Sequence, residues 1–193
     1  MIRLFLAISI LTLVSCNKPK VSFDYELPFE VSKGTQTATY EQTLDFCKAA
    51  SKSHLVHFTD YGRSSQGYIL PLLIIDKDGF SDPEKIRNAR RTILFVEANI
   101  HPGEPDGNDA MMLLVRDMVF GEKIKLLDNV SVLFAPVVNP DGLKRFNAYN
   151  RINQNGPDEM GWRTNAQYLN LNRDFVKADA PEMQAWLKLY NHW

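Results

Sequence analysis

Two nearly continuous apolar runs on either side of one helical pattern constrain the fold of this 193-residue chain more than any other feature. The runs extend from Thr92 to Ile100 and from Val130 to Val138, and both are rich in β-branched residues. Runs of this kind are typical of strands buried on both faces of a parallel sheet. Between them, Asp106 to Phe120 has apolar residues at helical spacing and Gly121 at its end. The sequence therefore predicts a β-α-β unit within an α/β fold.

Three further elements are predicted around this unit. Thr39 and Gln42 fit a capping box, which predicts a helix running to about Ser53. Gly67 to Asp76 has the β-branched and apolar composition of a strand. A last helix begins at Pro181, and its apolar face carries Met183, Trp186, Leu187, Tyr190 and Trp193. The polar stretch from residue 139 to residue 175 is too long for an ordinary connection, which favours a functional loop.

The N-terminus has the pattern of a secretion signal. Met1 to Arg3 form a cationic start, and the apolar run of eleven residues that follows is shorter than the roughly 20 residues that span a bilayer. Leu13-Val14-Ser15-Cys16 resembles the bacterial lipobox, in which the cysteine thiol is acylated. We therefore predict a signal peptide over 1–15, a lipid-anchored tether over 16–36 and a domain over 37–193. The expected location is the bacterial cell envelope, facing the periplasm, with the membrane as a partner through Cys16.

Charge and cysteine content bear on the binding partners and on the disulfide bonds that this chain could have. The formal net charge of −1 provides no basic field for binding nucleic acid. With Cys16 acylated, Cys47 has no disulfide partner in this chain. Cys47 lies in register with Tyr40 and Leu44 on one helical face, so it is expected to be a buried thiol without a function.

Side chains that bind metals and anions follow the predicted strands. His101-Pro102-Gly103-Glu104 comes directly after the first apolar run, and a His and a Glu at this spacing can converge on a zinc-type cation. Asn139-Pro140-Asp141-Gly142 follows the second run and alone indicates only a β-turn. Residues 161–165 and 170–173 add two guanidiniums and several amides, which suit carboxylates and oxyanions. Each motif alone has an ordinary structural explanation, but sites in open α/β sheets gather at the carboxyl ends of strands.

In this order the motifs resemble the zinc metallocarboxypeptidases, the family of carboxypeptidases A, B, D and E. Residues 61–67 look like the Gly-x-Ser-x-x-Gly hairpin that precedes the early strands of that family. The resemblance extends from about Thr37 to Trp193 and implies a three-layer α/β/α fold with a mixed, mostly parallel central sheet. It also implies one zinc ion as cofactor and hydrolysis of the C-terminal residue of peptides, with cell-wall peptides as one candidate substrate.

The resemblance further implies roles for five residues. They are His101 and Glu104 as zinc ligands, Arg163 as the catalytic group that polarises the scissile carbonyl, and Asn172 and Arg173 as the groups that bind the substrate's terminal carboxylate. Arg145 and Arg151 compete with Arg163 for its role, but the spacing from Arg163 to Asn172 matches the Gly-Arg-x-Asn form of carboxypeptidases D and E. Residues 139–142 would be scaffold that aims the long loop.

The chain departs from the family pattern at several points. Asn170 occupies the place of an Asp that orients the first His ligand, and Gly103 that of an Arg that several relatives carry between the ligands. The third ligand, a His, and the general base, a Glu, would lie beyond Trp193, so we expect an N-terminal part of the enzyme that is inactive alone. Two alternatives stay open: an N-acyl amino acid deacylase of the aspartoacylase or desuccinylase type, and a non-catalytic peptide-binding lipoprotein.

Overall fold

The structure is a computed structural model that describes residues 23–193. The predicted signal peptide and the lipobox at Cys16 lie outside the described residues. The helices are α1 (Pro28–Val31), α2 (Tyr40–Ala50), α3 (Pro83–Asn88), α4 (Asp106–Val119), α5 (Pro140–Lys144) and α6 (Pro181–His192). The strands are β1 (Val56–Arg63), β2 (Ile69–Ile75), β3 (Thr92–Glu97) and β4 (Val130–Ala135), and two 3-10 helices cover Ile124–Leu127 and Leu171–Arg173. Among residues 23–193, no helix combines the length and apolar character needed to cross a membrane.

The four described strands form one mixed sheet in the order β1-β2-β4-β3. β3 and β4 run parallel and in register from Thr92 opposite Val130 to Glu97 opposite Ala135. Since α4 connects them, the predicted β-α-β unit is confirmed. β2 runs antiparallel to both β1 and β4, so parallel pairing is the minority arrangement in the described part of the sheet.

Helices cover both faces of this sheet and produce the predicted three-layer arrangement. Alternate residues of β2 and β4 point to opposite faces, as the period of a strand requires. On one face, α2 and α4 pack on Leu73, Ile75, Val132 and Phe134. On the other face, α3 and α6 pack on Leu72, Ile74, Leu133 and Ala135. Burial of each large side chain in these layers contributes about 1.5–3 kcal/mol to folding.

β3 lies at the edge of the described sheet and differs from the prediction in burial and in length. Leu94 is 49% exposed, whereas a strand buried on both faces was expected. The strand also ends at Glu97 rather than at Ile100, because Asn99 has a φ of +54° and turns the chain out of the strand. The loop that carries His101 begins at this turn.

The described part of the predicted tether over residues 16–36 contacts the domain at its first residues. Leu27 is buried, and the rings of Phe23 and Tyr25 contact Phe46 of α2 at centroid distances of 5.7 and 5.8 Å. Phe23, Tyr25 and Leu27 therefore pack with the hydrophobic core. The thiol of Cys47 is free and buried, as its helical register predicted.

Candidate metal and substrate site

The loop after β3 brings His101 and Glu104 together. Backbone hydrogen bonds from Val138 and Asn139 to Ala98 and Asn99, both 3.1 Å long, hold the two chain segments side by side beyond the ends of β3 and β4. The amide of Glu104 then donates to the carbonyl of His101 at 2.8 Å, which closes a tight turn. The imidazole is buried, while the Glu104 side chain is 40% exposed.

The hydrogen bonds of His101 determine which of its ring nitrogens can bind a metal. Nε2 lies 2.8 Å from Oδ1 of Asn170, and the same Oδ1 accepts from the backbone N–H of Asn172 at 3.2 Å. Because Oδ1 is an acceptor, Nε2 must carry the hydrogen and donate. In the neutral imidazole, the lone pair of Nδ1 then faces Oε2 of Glu104, 3.5 Å away.

This pair of acceptors fits a zinc ion. In the neutral imidazole, the Nδ1 lone pair and the carboxylate oxygen repel each other, and a metal ion bound between them removes the repulsion. Zinc bonds of about 2.0–2.2 Å at a tetrahedral angle place two ligand atoms about 3.4 Å apart, close to the observed 3.5 Å. Among residues 23–193, no group of three or more His, Cys, Asp or Glu side chains is gathered around one point. In the described part of the chain, the candidate site therefore contains two potential ligands, His101 and Glu104.

The second oxygen of Glu104 is held by arginines of the long loop. Nη1 of Arg151 lies 2.6 Å from Oε1, and Nη1 of Arg163 lies 3.2 Å from the same atom. Burial is the largest single influence and opposes ionisation of this carboxyl, but the hydrogen bond and charge of Arg151, together with the contribution of His101, outweigh it, and the pKa of Glu104 is lowered from its ordinary value. The candidate ligand Glu104 is therefore a charged carboxylate at neutral pH. The sequence motifs did not single out Arg151 for this contact.

Residues 139–142 connect the ligand loop to the Arg163 segment. Asn139 caps α5 by accepting from Gly142 N–H at 2.9 Å, so the predicted β-turn is the first turn of a short helix. Its Nδ2 donates to the carbonyl of Arg163 at 3.3 Å. A Cβ at Gly142 would lie 2.6 Å from the carbonyl oxygen of Trp162, so only glycine fits there. These contacts give the motif a scaffolding position.

The hairpin of residues 61–67 is fixed to the same framework. Oγ of Ser64 donates to Oδ1 of Asp141 at 2.5 Å, and the amide of Ser65 donates to Oε1 of Glu182 at 3.1 Å. Oε2 of Glu182 accepts from Asn165 at 3.2 Å. Burial and the nearby charge of Asp141 raise the pKa of Glu182. The hairpin, α5, α6 and the Arg163 segment therefore form one connected support.

A cavity of about 510 Å³ opens beside the Glu104 carboxylate. Its lining residues are Tyr149, Asn150, Arg151, Ile152, Asn153, Trp162, Arg163 and Thr164. Two of these side chains are cationic and none is acidic, so the cavity suits a carboxylate or a developing oxyanion.

The remaining predicted site residues lie around this centre. Asn172 and Arg173 are exposed on the 3-10 turn that begins after Asn170, so the hydrogen bond from His101 to Asn170 places that turn against the first ligand. Arg145 is elsewhere: its guanidinium lies over the rings of Trp162 and Tyr168, at 5.1 and 5.6 Å. Of the three arginines considered for the scissile carbonyl, Arg151 and Arg163 reach the ligand carboxylate.

The fold and this arrangement define a three-layer α/β protein with a candidate metal site at the carboxyl end of its parallel strands. The family model described as "Zinc carboxypeptidase" matches residues 40–188. The chain therefore belongs to the zinc carboxypeptidase family.

Individual relatives agree with this assignment. Carboxypeptidase 2 of Trichophyton rubrum is 27% identical over 123 residues, which cover 61% of this chain and 22% of that protein. Human carboxypeptidase D is 29% identical over 139 residues, 68% of this chain and 9% of that protein. A crystal structure of a metallo-carboxypeptidase from Burkholderia cenocepacia matches with a TM-score of 0.61 at 23% identity, over 80% of this chain and 38% of that one, which shows the likeness of fold. The chain spans less than a quarter of the length of the curated relatives it matches.

Proposed function

We propose that this chain carries two zinc ligands and the carboxylate-binding residues of a metallocarboxypeptidase, which hydrolyses the C-terminal peptide bond of its substrate. The observation that carries the proposal is the opposed pair of acceptors, Nδ1 of His101 and Oε2 of Glu104, with the imidazole orientation fixed by Asn170. Zinc bound there would polarise the peptide carbonyl and lower the pKa of bound water toward about 7. The third ligand and the general base are proposed to come from residues outside this sequence.

Arg163 would act in catalysis, and Asn172 and Arg173 would act in substrate binding. Arg163, at the cavity wall, would stabilise negative charge that develops on the scissile carbonyl oxygen. Asn172 and Arg173 would hold the terminal carboxylate of the peptide, which restricts cleavage to a free C-terminus.

Metal binding tests this proposal directly. We expect the 193-residue chain to bind zinc weakly through two ligands, and His101→Ala and Glu104→Gln each to remove that binding. Competition with a chelating dye measures the affinity. His192→Ala serves as the control because His192 is an exposed imidazole on α6. If His101→Ala binds zinc as the parent does, the metal site has been misplaced.

The complete protein separates the candidate activities. We expect release of C-terminal residues from peptides and no hydrolysis of N-acyl amino acids. The reverse preference would indicate the deacylase, and zinc binding without either activity would indicate a peptide-binding protein.

We also propose that Cys16 carries the lipid that anchors the protein in the cell envelope. The support is the sequence Leu13-Val14-Ser15-Cys16 after an apolar run of signal-peptide length. In the bacterial host, Cys16→Ser is expected to leave the membrane fraction and lose its acyl label. Cys47→Ala, which removes the buried thiol, should stay membrane-bound. Equal acylation of Cys16→Ser and the parent would disprove the anchor.

A further inference from the structure

The two oxygens of the Glu104 carboxylate have different surroundings. Oε2 faces Nδ1 of His101, whereas Oε1 is held by Arg151 at 2.6 Å and more loosely by Arg163 at 3.2 Å. The Arg151 side chain is 14% exposed although it belongs to the long polar loop, and that of Arg163 is 39% exposed. The shorter and better shielded of the two contacts is the one made by Arg151.

Gly103, between the two ligands, leaves the space that Arg151 occupies. A Cβ on Gly103 would collide with Cγ of Arg151 and would stand 2.9 Å from its Cδ. The stem of Arg151 therefore lies directly on the backbone of the ligand turn. Any side chain at position 103 would displace this arginine from the position in which it reaches Glu104.

Gln154 adds a second connection between Arg151 and the ligand turn. With its amide oxygen directed toward Arg151, Gln154 accepts from Nη2 at 3.2 Å and donates to the carbonyl of Gly103 at 2.7 Å. The guanidinium is thus held on one side by Gln154 and on the other by Glu104. A side chain held at both ends has little freedom left to lose when the metal binds.

We propose that Arg151 is the positioning residue of the metal site: it binds Oε1 so that Glu104 presents Oε2 alone to zinc. This inference rests on the proposed function, because it requires Glu104 to be a ligand. The contact acts as an outer partner of a metal ligand, and loss of such partners commonly weakens metal binding by about 10–100-fold. The opposite model is that Arg151 competes with the cation for the carboxylate, in which case its removal would strengthen binding.

Zinc affinity of the 193-residue chain distinguishes these models. Arg151→Ala is expected to bind zinc about 10–100-fold more weakly than the parent. Arg151→Lys retains the charge without the planar fork and should recover part of the loss. Gly103→Ala leaves the arginine in place in the sequence but displaces its stem, so it should weaken binding in the same direction. The matched control is Arg145→Ala, which also removes one positive charge. The guanidinium of Arg145 lies over Trp162 and Tyr168, so the zinc affinity of this variant should stay within about twofold of the parent.

Each outcome decides between these models. Unchanged or tighter zinc binding by Arg151→Ala overturns the inference while leaving the metal site intact, provided that His101→Ala still abolishes binding. If His101→Ala binds normally, the proposed function fails and this inference fails with it. Thermal unfolding of the metal-free variants tests for a purely structural role of Arg151. With such a role the melting temperature would fall, but the zinc affinity would not decrease in the order parent, Arg151→Lys, Arg151→Ala. Should Arg151→Ala fail to fold, Gly103→Ala and Arg151→Lys still give the same comparison.

Discussion

In the proposed metallocarboxypeptidase, replacement of Arg163 by alanine is expected to lower kcat by about 10²–10³ with little change in KM. The side chain lines the cavity beside the Glu104 carboxylate, and at 39% exposure it is freer to face a substrate than Arg151. A donor that meets negative charge on the substrate only as the tetrahedral oxyanion forms stabilises the transition state and not the bound peptide. Steady-state kinetics on a peptide with a free C-terminus measures both constants.

Two variants sharpen the interpretation of that result. Arg163→Lys keeps the positive charge but loses the fork of donors, so it should recover only part of kcat. Arg145→Ala removes a guanidinium that lies over two aromatic rings and should leave kcat near that of the parent. A rise in KM at unchanged kcat for Arg163→Ala would mean that this arginine binds the ground state, and its assigned role would be wrong.

The elements recognised from sequence are those whose patterns depend on burial alone. α2 begins with the predicted capping box, in which Thr39 and Gln42 satisfy each other's backbone N–H groups. α4 and α6 follow the predicted apolar spacing and begin where Asp106 and Pro181 were expected to open them. In these segments the local helix preference and the tertiary packing favour the same structure, so the sequence pattern was sufficient to predict the helices.

The elements missed are those in which one side of the chain is exposed. β1 contains His57, Thr59 and Asp60 because it lies at an edge of the sheet with much of its surface in solvent. Its strand character depends on the register with β2, which only the folded structure contains. The packing of the segment before α2 was not predicted either, because isolated apolar residues such as Leu27 form no periodic pattern.

At the candidate site, too, the sequence motifs predicted individual residues but not the contacts between distant segments. The spacing of His101 and Glu104 suggested a metal site, the family resemblance added Asn170, and the structure brings these three side chains together. The contact between Arg151 and Glu104 joins residues 47 positions apart and follows no motif spacing. One signal for it was present in the sequence: Gly103, where relatives carry an arginine, leaves room for a side chain from another part of the chain.

Replacement of Arg173 by alanine should affect substrates according to their end group. Arg173 is exposed on the turn after Asn170, where its guanidinium can meet an incoming carboxylate. Leaving a buried carboxylate without its charged partner typically costs about 2–5 kcal/mol, so activity on free-acid peptides should fall by about 30-fold or more. Peptides with an amidated C-terminus lack that charge, and the variant should hydrolyse them as slowly as the parent does. Matched free-acid and amidated peptides of one sequence provide the measurement, with Lys177→Ala, an exposed cation nearby, as control. An equal loss on both substrates would show that Arg173 supports the fold of the site and does not select the terminus.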